Sequence, residues 1–296
     1  MKPAASFWLG LAGAALMLAL SAGVLQARDT RFPEPPLAER LLYLQSGAVA
    51  DRTMLQFDAI AADVYWIRTI QHYGRDRRSS RPDRFSLLEP LLELTTTLDP
   101  HFTIAYRFGA IFLALEPPNG AGRADRAVRL LEKGLRRDPG PWQYAHDIGF
   151  VHYWFARDFV EAARWFERAA GMQGAPEWLL PLSAVTRIEG GDRTGARLLL
   201  RSLVEAPEPY IRNAAERGLQ QLQALDAIDE LQARVAEYRN RTGDSPSAWG
   251  DLFPGQAGQV PLDPTGEPYV YDASAHAVTL SPRSALNPLP AMPGTR

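Results

Sequence analysis

His146 and His152, with Asp147 beside the first, are the residues of this chain whose types best suit metal or acid–base chemistry. Both lie in a stretch that reads as helix, and six helical steps turn them about 240° apart, so they do not face one metal ion. Asp147 is next to His146 in sequence but is expected to project elsewhere. Ser79, Ser80 and Ser281 fall in loops with no histidine–carboxylate pattern around them, which leaves nucleophilic catalysis without a base. Asn119, Gly120, Ala121 and Gly122 form the nearest thing to a phosphate loop, but they follow Pro117 and Pro118 and no strand precedes them. The chain has no cysteine, which removes disulfides, thiolate metal sites and cysteine nucleophiles. No catalytic residue, metal ligand or cofactor is assigned, and the chain reads as a non-enzyme.

Binding chemistry is better represented. Tyr65, Trp66, Arg68, Gln71 and Tyr73 crowd one helical segment with Asp63, and arginine, tyrosine and tryptophan dominate interface hot spots. Tyr65, Trp66 and Trp154 equally suit plain packing between helices. Five arginines (Arg75, Arg77, Arg78, Arg81 and Arg84) follow in a polar loop, where they could meet lipid phosphates, an acidic partner or only solvent. The formal net charge of −2 argues against a nucleic-acid binder.

The elements that must position these residues recur. Setting Ala127, Ala162 and Ala196 in register gives steps of 35 and 34 residues, with Leu131, Phe166 and Leu200 four places on each time. Phe108-Gly109 with Phe112, and Ile148-Gly149 with His152, repeat a second signature: an apolar residue, a glycine, then an aromatic-type position. A period near 34 with helix–turn–helix content is that of helical solenoids. The spacing predicts helix over nearly all of 51–242, with breaks near 74–84, 99–101, 116–122, 138–141, 173–176 and 189–192. Within it a helix over 51–73 carries Leu55, Ile60, Val64, Ile67 and Ile70 along one side, and another covers 85–98. Two more, 209–224 and 225–242, continue the stack.

On these motifs the chain resembles the tetratricopeptide repeat family over about residues 50–205. It departs from that pattern at Leu88, which is large where the family has a small residue, and in the insertion 116–122. The resemblance implies an all-α solenoid of helix pairs whose first helices line a concave groove. It makes Asp63, Trp66, Arg68, Tyr106, Arg107, Tyr144, Asp147 and Tyr153 the candidate partner-binding residues.

The two ends differ from this body. No charge occurs from Ala4 to Ala27, and Phe7 to Leu25 is almost continuously apolar. Residues 1–27 therefore read as a transmembrane anchor, for which about 20 apolar residues suffice, or as a signal segment cut near Ser21–Gly23 or after Ala27. Either places the body outside the cytoplasm, on the periplasmic side, with a proline-rich connector over 28–50. Residues 243–296 are rich in proline and glycine, with short strand-like runs at 269–271 and 277–280, and are expected to cap the solenoid. Within 231–282, Tyr238, Gly243, Pro246 and the run Asp263-Pro-Thr-Gly-Glu-Pro-Tyr269 resemble the soluble end of type II secretion major pseudopilins, though Thr265 stands where that family has an aromatic.

The expected function is that of a membrane-tethered, extracytoplasmic scaffold for protein–protein interaction, with a place in an envelope secretion or pilus-like assembly. An accessory subunit or hydrolase with a site in the C-terminal segment, or a purely structural spacer, are the alternatives. The sequence names neither the partner nor the oligomeric state.

Overall fold

The structure is a computed structural model that describes residues 4–31, 57–81, 83–253 and 260–291. It is mostly helical with one small two-stranded sheet. In chain order the helices are α1 (Ala4–Arg31), α2 (Asp58–Asp76), α3 (Leu88–Leu98), α4 (Thr103–Ala114), α5 (Ala124–Arg137) and α6 (Trp142–Val151). They continue with α7 (Phe159–Ala170), α8 (Leu179–Glu189), α9 (Arg193–Leu203), α10 (Pro209–Thr242) and the short α11 (Trp249–Leu252). Strands β1 (Val270–Asp272) and β2 (Ala277–Thr279) pair antiparallel, with Tyr271 opposite Val278.

Local chemistry sets the helix ends. Asp99 and Asp138 are extended because a proline follows each, and α3 and α5 stop there. Asp158 and Asp192 cap α7 and α9 by accepting the backbone N–H of Glu161 and Gly195. Gly243 ends α10 in the left-handed conformation at φ 82°. Asp51–Gln56, the expected start of the first repeat helix, lie outside the described residues, as does most of the 28–50 connector.

From α2 to α10 each helix packs on the next, and α4 also meets α6 as α3 meets α5. Ala127, Ala162 and Ala196 are all buried, as are Leu131, Phe166 and Leu200, each pair in a different core cluster. The glycines sit where helices cross: a Cβ on Gly149 would stand 2.7 Å from the Phe166 ring, and one on Gly134 2.8 Å from Tyr144. Among the described residues, no strand interrupts 57–242.

Three expectations change. The helix read from Phe85 begins at Leu88, because Phe85 is held at φ 63° with its N–H bonded to the buried carboxylate of Asp76 at 2.5 Å. The helices read as 209–224 and 225–242 are one helix of 34 residues, since 222–228 contains no glycine or proline to break it. That helix serves two cores. Its first half joins α8 and α9 around Ile188, Leu200 and Leu222, while its second half joins the C-terminal segment through Leu231, Val235, Tyr269, Val278 and Leu286.

The third change concerns the membrane. Among the described residues no helix is long and apolar enough to cross one. The described side chains of α1, Gly13, Ala15–Arg28 and Arg31, are all exposed; most of the run from Phe7 to Ala14 lies outside that description.

The C-terminal segment is tied down by polar contacts as well. Gln221 donates to the carbonyls of Leu286 and Pro288, and Gln232 both donates to His276 O and accepts from Val278 N–H. Asp263 accepts from Thr265 N–H, Thr265 Oγ1, Glu267 N–H and Ser284 Oγ. Burial opposes its ionisation, but these donors outweigh it and hold the carboxyl below the ordinary carboxylate value.

Candidate functional site

The side of α2 that reads as its apolar face is not the packed one. Ile60, Val64, Ile67 and Ile70 are exposed, and the packed side is Ala62, Tyr65, Thr69, His72, Tyr73 and Asp76. A helix can bury so many polar groups only if it satisfies them: Thr69 Oγ1 donates to Tyr65 O at 2.8 Å, and Asp76 takes the Phe85 N–H. His72 is the exception. Its Nε2 lies 3.3 Å from Asp76 Oδ2 but neither ring nitrogen makes a hydrogen bond, and burial pushes the imidazole below the usual histidine value against the pull of Asp76.

The same inversion holds on α4. Tyr106, Gly109, Ala110 and Leu113 pack inward, while Ile104, Phe108 and Ile111, spaced i, i+4 and i+7, face solvent. Ring contacts link α2, α4 and α6. Tyr73 stacks on Phe112 with ring centroids 3.9 Å apart, and Trp66 lies 6.0 Å from Phe102, joining α2 to α4. Tyr106 meets Tyr144 edge-on at 5.7 Å, joining α4 to α6. On α6 the row continues through Phe150 to Trp154, and His146 contacts Trp178 at 5.7 Å. Ile67, Phe108 and Trp154 are 53%, 52% and 50% exposed, values that belong to unpartnered surface and not to a core.

Between α4 and α6 this face dips into a pocket of about 210 Å³, lined by Ala110, Ile111, Leu131, Phe150 and Val151 with a polar rim. At the rim the Arg107 guanidinium grips Asp147 with two hydrogen bonds, Nε to Oδ2 at 2.5 Å and Nη2 to Oδ1 at 3.2 Å. His146 Nδ1 sits 2.9 Å from Asp147 Oδ1. This corrects the expectation that Asp147 points away from His146: Arg107 draws the carboxylate to a position both can reach. The pair links residues 40 apart and is partly shielded, so it ties α4 to α6.

The candidate residues therefore separate. Asp63 is exposed on α2 and Tyr153 is partly exposed in the π turn His152–Ala156 that extends α6. Arg107 and Asp147 frame the pocket. Arg68 lies over the Tyr65 ring at 5.4 Å, at the edge of α2. Trp66 is half-buried against the core. Tyr106 and Tyr144 are buried and offer no surface to a partner; burial raises both hydroxyls, Tyr106 to about 12. Missed were Ile104, Phe108, Ile111 and Phe150, whose helical spacing was visible but whose outward direction was not. The π turn, which leaves Trp154 exposed, has no sequence signal of its own.

Elsewhere, Ser245 Oγ lies 3.0 Å from His276 Nδ1, and among the described residues no carboxylate hydrogen-bonds that ring. Among the described residues no three His, Asp or Glu side chains gather to hold a metal ion. Comparison with protein-family models, with curated proteins and with solved structures finds no match to this chain.

Proposed function

We propose that this protein is a membrane-tethered, extracytoplasmic scaffold of tetratricopeptide type that captures a protein partner on the open face of α2, α4 and α6. The observation that carries the reading is the pocket between α4 and α6, sized for one large apolar side chain and lined by Ile111 and Phe150, together with the exposed apolar side chains Ile67, Phe108 and Trp154 on α2, α4 and the turn after α6. Exposed apolar side chains around such a pocket mark interaction sites. The tether rests on the uncharged and almost continuously apolar run Phe7–Leu25 of the sequence. The likeness of 231–282 to pseudopilins, with its hairpin docked on a long helix, favours a place in an envelope secretion or pilus-like assembly.

The test is site-specific photo-crosslinking in cells. A photo-reactive phenylalanine analogue at Phe108 or Trp154 should trap a defined protein, whereas one at Leu198, exposed on α9, should not. Equal trapping at all three sites, or none at the first two, refutes the open face as the docking site. Fractionation finding the full chain in the cytosol refutes the tether.

A further inference from the structure

The open face is flanked at one end by an unbalanced positive charge. Arg75, Arg77, Arg78, Arg81 and Arg84 fall at the end of α2 and in the loop after it, in a chain whose net charge is −2. Only two carboxylates share that stretch, and neither neutralises the outer arginines. Asp76 is buried and occupied by the Phe85 N–H, and Arg81 takes its other oxygen as well as Asp83. Arg84 is turned back onto Ser79 O. Arg75 and Arg78 are exposed and form no ion pair among the described residues.

This cluster is fixed in place at the junction of α2 with the connector after α4. Arg77 lies over the Tyr73 ring at 5.7 Å and donates to Asn119 Oδ1, and the Tyr73 hydroxyl donates to Asn119 O at 2.7 Å. Asn119 belongs to the connector after α4, so the arginines stand where the C-terminal ends of α2 and α4 meet. Ile111, which lines the pocket, is three residues from the end of α4, roughly 5 Å along its axis.

We infer that the occupant of the open face is a partner segment with an apolar anchor for the pocket and acidic residues beside it, held by Arg75, Arg77 and Arg78. The inference rests on the scaffold reading above. Anchor and charge do different work: the buried side chain supplies most of the affinity, and the charged rim supplies orientation and salt-sensitive association.

Selection of a phage-displayed library of random peptides on the full chain in zwitterionic nanodiscs tests it. Enriched peptides should combine a large aliphatic or aromatic residue with a net negative charge. They should bind about tenfold more weakly to the Arg75→Glu/Arg78→Glu variant, and more weakly still to Phe108→Asp. Both variants alter exposed side chains, and thermal denaturation checks that each remains folded. Neutral peptides that lose binding to Phe108→Asp but not to the arginine variant overturn the acidic partner and leave the scaffold reading intact. Peptides that bind Phe108→Asp as well as the parent chain, or a library that yields no enrichment, overturn both. If nanodiscs of anionic phosphatidylglycerol abolish peptide binding, the arginines belong to lipid headgroups and the inference fails.

Discussion

Gly149→Ala, one methyl group added where α6 crosses α7, separates tight helix crossing from ordinary helix propensity. The new Cβ would lie 2.7 Å from both Cδ1 and Cε1 of Phe166 and 3.2 Å from Ala162 O. Carbon atoms rest at about 3.5–4.0 Å, so the helices must part by about 1 Å or the ring must leave its rotamer. Overpacking of this sort costs about 1–3 kcal/mol. Alanine returns about 1 kcal/mol as the better helix former, leaving a net loss of about 1 kcal/mol and at most about 2. Gly74→Ala in α2 is the matched control, because no atom lies within 4 Å of its Cβ. It should stabilise by about 0.4–1 kcal/mol. Thermal denaturation followed by circular dichroism should lower the midpoint of the first variant by about 2–4 °C per kcal/mol and raise that of the second. Phe166→Leu, placed on the Gly149→Ala background, should recover part of the loss. If Gly149→Ala proves as stable as Gly74→Ala, close approach is not what selects glycine there and the crossing geometry is wrong.

Asp76→Ala removes the acceptor of the Phe85 N–H and a contact of Arg81; a loss of about 1–3 kcal/mol in urea denaturation is expected, and an unchanged midpoint would show the loop holds without it. His72 is buried with its proton affinity below the ordinary 6.5, so its contribution is complete above that pH and is lost as pH falls through the lower folded value. His72→Gln should therefore flatten the decline of the urea midpoint from neutral to mildly acidic pH; an identical decline assigns the effect to another group. Asp263→Ala frees Thr265, Glu267 and Ser284 together, and limited proteolysis should then cut within 260–291 before it touches α2–α9. The Asp263 carboxyl is held below its ordinary 3.8, so the stability it adds is present at neutral pH and disappears as pH falls below that value.

The helix breaks at 99–101 and 138–141 were legible because they rest on local chemistry, whereas the break at 157–158 before α7 was not expected. Pro100 and Pro139 stop helices through the residue before them, and the small residues Ala127, Ala162 and Ala196 mark crossings wherever they recur. The direction of each helix was not legible, because apolar periodicity states that a stripe exists without stating what covers it. On α2 the stripe of isoleucines looked like core, whereas the core took Tyr65, Thr69, His72 and Asp76; Thr69 and Asp76 are met there by backbone groups, and His72 makes no hydrogen bond. The site followed the same division. Arg107 and Asp147 could be picked as polar residues in apolar helices, but their pairing spans 40 residues and depends on how α4 lies against α6. Tyr106 and Tyr144 share the composition of interface anchors and serve as packing, a difference that only burial reveals.

α10 gives the molecule a mechanical property. Proline occurs only at its first position, and its one internal glycine, Gly218, packs so closely on Leu200 that a Cβ there would stand 3.0 Å from it, so roughly 50 Å of helix runs unbroken. Opposite halves of this rod are embedded in different cores, so the β1–β2 hairpin and the pair α8–α9 are joined through a single element. The C-terminal segment is thus no detachable module: cut after Gly243, the chain would keep α2–α10 yet leave Leu231 and Val235 bare to water.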